Sequence, residues 1–262
     1  MPARQVTPAS ARATVRFMEP CKGHRLDRLP GARRAWLTAL CKAAALAGLW
    51  PAASAQPPPA PEPDRVEFAL PAPKVQGPVP FERTLAQRRS RRSFAAAPLT
   101  LAEAGQLLWA AQGISDENNR RTAPSAGATY PLVLYLVAGQ VDEVAAGVYR
   151  YLPQGHRLAA VQRGDRRAAI ATAAYFQIWM REAPAYVLIA AQPSRTEARY
   201  GQRAERYVAM EAGAAAQNLL LQAVALGLGA TLVGAFNETA LKSIASLPAD
   251  EQVLAIIPVG RP

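Results

Sequence analysis

Residues 227–236 read Gly227-Leu228-Gly229-Ala230-Thr231-Leu232-Val233-Gly234-Ala235-Phe236. A dinucleotide-binding fingerprint needs glycines at G-x-G-x-x-G spacing, set between a strand and a following helix. Here Leu232 occupies the third glycine position, and the order of elements is reversed. The run from Arg203 to Gly227, dominated by Ala, Leu and Met, reads as a helix, and Ala230–Val233 reads as a strand behind it. A doubly wound nicotinamide site is therefore rejected. Gly234 instead places bare backbone at the end of a buried strand, where a flat ring can approach.

Outward from that stretch the pattern stays mixed. The long helix carries Glu211, Gln217, Asn218 and Gln222, which are costly in lipid, so it does not read as a membrane span. Its small patch Ala212-Gly213-Ala214-Ala215-Ala216 permits close helix approach, either in the core or at a subunit interface. Asn237 is placed to cap a short helix, and Gln252–Val259 reads as a final strand. Upstream, Leu132–Val137 and Ala185–Ala191 are unbroken apolar runs of strand length. Val148–Tyr151 and Leu158–Val161 form a hairpin pattern around Pro153-Gln154-Gly155. Phe81 to Arg92 reads as a short basic helix. Thr100-Leu101-Ala102-Glu103 is a capping box that opens another, ending at Gly113. Asp165 is read as the cap of a helix to about Arg181, and Ser194-x-x-Glu197 as a second capping box. Helices and strands alternate irregularly and without repeats, which gives an α+β fold.

The charge is unevenly distributed. Of the net +11 over 262 residues, residues 1–55 hold nine Lys or Arg against two Asp or Glu; the rest of the chain is left with only +4. No lysine-rich stripe with interleaved aromatics occurs there, so nucleic acid is not an expected partner. Cys21, Cys41 and His24 also lie in the first 55 residues. The body has no thiol and one histidine, His156, which argues against zinc–cysteine sites, thiolate catalysis and a Ser-His-Asp triad; no metal site is expected.

Arg33-Arg34-Ala35-Trp36-Leu37 opens an apolar run that closes at Ala53-Ser54-Ala55. This is the three-part layout of an export signal, and the paired arginines resemble the twin-arginine type that carries folded proteins to the periplasm. A disordered basic tail is the alternative, and Met18 is an alternative start. The apolar run, interrupted by Lys42, falls short of the roughly 20 residues of a stable span. Residues 56–80 are proline-rich and read as an extended spacer, with the folded domain over 81–262.

Two further clusters carry chemistry. Arg88-Arg89-Ser90-Arg91-Arg92-Ser93-Phe94 packs four guanidinium groups into five residues: an anion site, or equally a solvated basic face. Pro124-Ser125-Ala126-Gly127-Ala128-Thr129-Tyr130-Pro131 exposes backbone between two prolines, as a surface for a flat ligand or as an ordinary turn into a strand. Tyr130 and Trp179 are candidates for a substrate pocket, with packing the alternative for Trp179.

Taken in order with Leu108–Gly113, Gly147-Val148-Tyr149-x-Tyr151, Tyr200-Gly201-x-Arg203, Glu211-Ala212-Gly213, Gln217-Asn218-Leu219 and Pro258-Val259-Gly260, these clusters resemble the nitroreductase superfamily, in particular its branch similar to SagB-type azoline dehydrogenases. The resemblance covers about Arg83 to Arg261. It implies an α+β fold with a central mixed sheet flanked by helices, a homodimer, and FMN bound at the subunit interface. It implies that Arg88, Arg89, Ser90 and Arg92 hold the phosphate and ribityl chain, with Arg261 adding a phosphate contact. Pro124, Ser125, Ala126 and Gly127 would line the ring from the other subunit. Val233, Gly234 and Ala235 would present backbone near N5. Azoline-oxidising relatives carry a Lys-Tyr pair where this chain has Arg199-Tyr200. Arginine stays protonated and cannot serve as the base, which leaves Tyr200 as the catalytic candidate for proton transfer.

Overall fold

The computed structural model describes residues 66–262. The expected export signal, both cysteines and His24 lie outside the described residues. Seven strands form one sheet: β1 (Glu67–Ala69), β2 (Leu132–Ala138), β3 (Gly147–Leu152), β4 (Arg157–Arg163), β5 (Ala185–Ala191), β6 (Gly229–Ala230) and β7 (Gln252–Gly260), in the spatial order β1-β4-β3-β2-β5-β7-β6. Every ladder between them is antiparallel; parallel pairing comes only as isolated bridges, Ser90 with Ala230 and Leu99 with Val141.

At the centre, β2 and β5 pair from Leu132–Ala191 to Ala138–Ala185, and every residue of both strands is buried. Side chains alternate across a strand, so the two runs split cleanly. Leu132, Leu134, Leu136, Val187 and Ile189 join the cluster of helices α2 (Leu101–Gln112) and α5 (Ala204–Ala225). Val133, Tyr135, Val137, Tyr186 and Leu188 join that of α3 (Arg167–Ala173) and α6 (Glu238–Ala245). Covering both faces removes any need for polar alternation, which is why these strands are apolar throughout. Of the small patch on α5, Ala212, Ala215 and Ala216 are buried in the first cluster, and Gly213 is exposed. Among the described residues no helix is long and apolar enough to cross a membrane.

Several local readings are corrected. Helix α1 (Phe81–Gln87) stops five residues before Arg92. Its continuation is drawn out into extended backbone by the Ser90–Ala230 bridge, and the Arg91 N–H donates to the Ala230 carbonyl at 3.1 Å instead of to its own helix. The helix expected from Asp165 to about Arg181 runs only over Arg167–Ala173. Arg166, not Asp165, is its N-cap, although Asp165 accepts the Arg167 N–H. It ends because Tyr175 and Phe176 adopt φ of 52° and 59°, which no right-handed helix accommodates. The Thr100 capping box forms in full. The one expected at Ser194 does not: Pro193 already has helical dihedrals, so helix α4 (Ser194–Tyr200) contains Ser194 rather than starting after it. The spacer over 56–80 also gives way, from Val66 onward, to structure packed on the domain. β1 pairs with β4, Leu70 is buried, Phe68 meets Tyr149 edge-on, and the Gln106 amide holds the Lys74 backbone through both its N–H and its carbonyl. Proline content masked the short apolar run Val66-Glu67-Phe68-Ala69-Leu70.

Candidate functional site

The arm 88–94 runs along the end of the sheet, joined to β6 at Ala230 and to the end of β7 through the Ala95 N–H, which donates to Arg261 at 2.9 Å. Extended backbone sends successive side chains to opposite sides, so the arginine run is divided. Arg89 and Arg91 line a cleft of about 390 Å³ with Leu220, Val224, Gly227 and Leu228. Arg89 there donates to the carbonyls of Ala86 and Arg88, and the missing side chain of Gly229 makes room for the Arg91 stem. The same alternation assigns Arg88, Ser90 and Arg92 to the other side. The Arg92 guanidinium lies 5.9 Å from the centre of the Trp179 ring, which in turn stacks on Phe94. Among the described residues no carboxylate pairs with Arg88 or Arg92.

Next to the arm, Val233 exchanges two backbone hydrogen bonds with Ile256, and the chain then leaves the sheet through Gly234 and Ala235, both exposed. A Cβ added to Gly234 would meet nothing within 4 Å. The chain's own packing therefore does not demand a glycine there. The Ala235 carbonyl accepts from the Gln177 side chain at 3.3 Å, which brings the exposed, left-handed Tyr175-Phe176 pair beside this edge. The sequence reading missed that pair, because nothing in Ala173-Ala174-Tyr175-Phe176-Gln177 breaks a helical pattern and no glycine marks the turn. Arg261 is committed elsewhere: its guanidinium binds Glu103, the carboxylate of the α2 capping box, at 3.0 and 3.1 Å.

The second half of the predicted site lies at the other end of α5. Gly127, Ala128 and Tyr130 all have positive φ (58°, 55° and 46°). Such backbone persists only where its surroundings hold it, and here they do so from several directions. Arg199 donates to the Gly127 carbonyl, Arg195 donates to that of Tyr130, the Thr129 and Thr196 hydroxyls meet at 2.9 Å, and the Tyr130 N–H donates to Ser125 Oγ. From below, the Ala126 N–H donates to Glu211 Oε1 at 2.7 Å. Tyr200 is brought to the same loop, its hydroxyl 2.6 Å from where a Gly127 Cβ would lie, with its ring edge-on to Tyr207. Glu211 is a site residue that sequence reasoning did not single out; the available signal was a lone carboxylate in a buried, alanine-rich stretch.

One chain thus assembles two half-sites, one around Arg88, Ser90, Arg92 and Gly234, the other around Pro124–Gly127 and Tyr200. Glu211 touches the second, while Val224, roughly 20 Å further along α5 at 1.5 Å per residue, lines the Arg89–Arg91 cleft on the opposite side of the arm from the first.

The model of the nitroreductase family matches residues 85–261. The chain belongs to that family. It is 42% identical over 183 residues to a protein of Methanocaldococcus jannaschii named as a nitroreductase, covering 70% of this chain and 91% of that relative. A solved nitroreductase-type structure from Ralstonia eutropha is 29% identical, with a TM-score of 0.64 over 74% of this chain and 89% of its own. One from Anabaena variabilis is 25% identical, with a TM-score of 0.66 over 76% of this chain and 42% of its own. The nitroreductase family carries out oxidoreduction and generally binds a flavin. The residues of this member fit such a group: unpaired guanidinium groups suit a phosphate, and the open space at Gly234 suits close approach to bare backbone.

Proposed function

We propose that this nitroreductase-family chain is an FMN-dependent oxidoreductase, working as a homodimer on a small oxidised organic acceptor such as a nitroaromatic or a quinone. Bound FMN would supply hydride acceptance and donation at N5. The protein's share is binding, orientation and control of charge. Arg88, Ser90 and Arg92 would grip the phosphate and ribityl end, while Val233–Ala235 would lie along the ring. Pro124–Gly127 of the second subunit would complete the pocket. The observation that carries this reading is the juxtaposition of an unpaired cationic face with the open backbone at Gly234. Membership of a commonly dimeric family supports the second subunit. A visible spectrum of the purified protein should show flavin bands, and denaturation should release FMN. A colourless protein that takes up no added FMN overturns the proposal.

A second reading is an azoline or peptide dehydrogenase in which Tyr200 moves the proton. It is favoured by the Tyr200 hydroxyl lying against the Gly127 backbone, while Arg199 is spent as a clamp on the same loop. Tyr200→Phe should abolish oxidation of an azoline peptide and leave the flavin spectrum intact; an unchanged rate would dismiss this reading. We further infer export to the periplasm, on the strength of the Arg33-Arg34 signal pattern. That location disfavours cytoplasmic nicotinamides as the electron donor.

A further inference from the structure

We propose that Glu211 is the positioning residue of the 124–130 loop, fixing through Ala126 the surface this loop turns toward the cofactor. The inference rests on the FMN reading above.

Glu211 sits on the buried face of α5, 5% exposed, among Val208, Ala212, Ala215 and Ala216. An alanine would pack at such a place without penalty, whereas a carboxylate has to be stripped of water. Burial accordingly pushes its carboxyl above the ordinary range, opposed by the Ala126 N–H and the Ser125 hydroxyl. What the carboxyl does in return is visible. Oε1 takes the Ala126 N–H at 2.7 Å, a short bond of the charge-assisted kind. Ser125 Oγ accepts from the Tyr130 N–H at 2.9 Å. Neighbouring residues of the loop are thus pinned in two directions, Ser125 to the loop's far end and Ala126 to α5. The Ser125 hydroxyl is spent inside the loop, so what the loop offers a ligand is backbone.

The division of labour is specific. Arg195, Thr196 and Arg199 of α4 grip Gly127, Thr129 and Tyr130, the second half of the loop. Glu211 grips the first half, at Ala126. Its other oxygen, Oε2, is buried with no partner among the described residues. It is the atom of this cluster left for a polar group arriving from outside the chain.

The test uses the full chain with Glu211→Gln, Glu211→Ala and Ser125→Ala, reading the FMN dissociation constant by flavin fluorescence and the midpoint potential of the bound flavin. Glu211→Ala leaves the Ala126 N–H without its acceptor and should weaken FMN by about 10- to 100-fold. Glu211→Gln keeps the shape and an acceptor but loses the charge. It should weaken FMN by roughly tenfold and move the potential positive, because the loop against the reduced flavin no longer rests on a carboxylate. A purely structural role would leave that potential unmoved in the Gln variant. Ser125→Ala removes only the acceptor of the Tyr130 N–H and should weaken FMN less than Glu211→Ala does. If the wild-type chain binds FMN and all three variants match its affinity and potential, this inference is overturned alone. If the wild-type chain binds none, the functional reading falls and takes it along.

Discussion

Arg88→Ala combined with Arg92→Ala is expected to give a folded protein that purifies without colour and binds added FMN roughly 10²- to 10⁴-fold more weakly. Both residues belong to the same side of the extended arm, with Ser90 between them, and among the described residues neither has a carboxylate partner. Removing them therefore breaks no ion pair, and thermal stability should hardly change. A hydrogen bond to a charged group contributes about 1.5–3 kcal/mol, so two lost phosphate grips amount to about 3–6 kcal/mol. The matching control is Arg89→Ala with Arg91→Ala. The same two charges disappear, but from the side that faces Gly227 and Leu228. That pair should weaken FMN by less than about tenfold, through long-range charge alone. Titrating FMN into both double variants decides the matter. Equal losses would mean that charge count, and not the alternation of the arm, binds the phosphate; a larger loss in the control would reverse the assignment.

That alternation shows where sequence reading stops. The basic run Arg88–Arg92 was legible as a group, but a helix continuing from Phe81 would have fanned its arginines around an axis. Only the bridge to Ala230, more than a hundred residues away, makes the run extended and sorts its side chains. The central strands were legible because both faces are covered, so hydropathy alone marks Leu132–Ala138 and Ala185–Ala191. The break after Ala173 was not. Just before the left-handed Tyr175 and Phe176, the Ala173 carbonyl is taken by the Asn237 N–H across the fold, and no local residue announces the break. Arg261 was visible as a basic residue near the end of the last strand, yet its engagement by Glu103 depends on helix α2 being placed alongside. Pairing across the fold is the quantity that periodicity does not carry.

Glu251→Ala is expected to cost about 3–5 kcal/mol of stability, the usual penalty for removing one partner of a buried charged pair. Glu251 is 1% exposed at the start of β7, and its Oε2 accepts the Tyr135 hydroxyl at 2.6 Å. Arg150 Nη1 lies 3.2 Å from the other oxygen, an ion pair without hydrogen-bond alignment, and its guanidinium sits over the Tyr135 ring. Alanine leaves the fully buried phenol with no acceptor and takes away the counter-charge of Arg150. For a domain of about 200 residues this lowers Tm by roughly 6–20 °C. Tyr135→Phe added to Glu251→Leu should recover much of the loss, because the orphaned donor disappears together with its acceptor, and Arg150 is exposed enough to reach water. Burial and the Glu251 hydrogen bond raise the Tyr135 phenol above its ordinary value of 10.0. The wild-type fold therefore keeps this contribution below pH 10 and loses it as pH climbs beyond, a loss the Phe variant escapes. Tyr135 belongs to the cluster of α3 and α6, on the far side of the sheet from α2 and α5. Phe94 and Val233 of the first half-site belong to the same cluster, so FMN affinity of the folded variants is measured beside their stability. Denaturant unfolding of the single and double variants is the deciding measurement: a double variant as unstable as Glu251→Ala would show that lost packing, and not the orphaned hydroxyl, sets the cost.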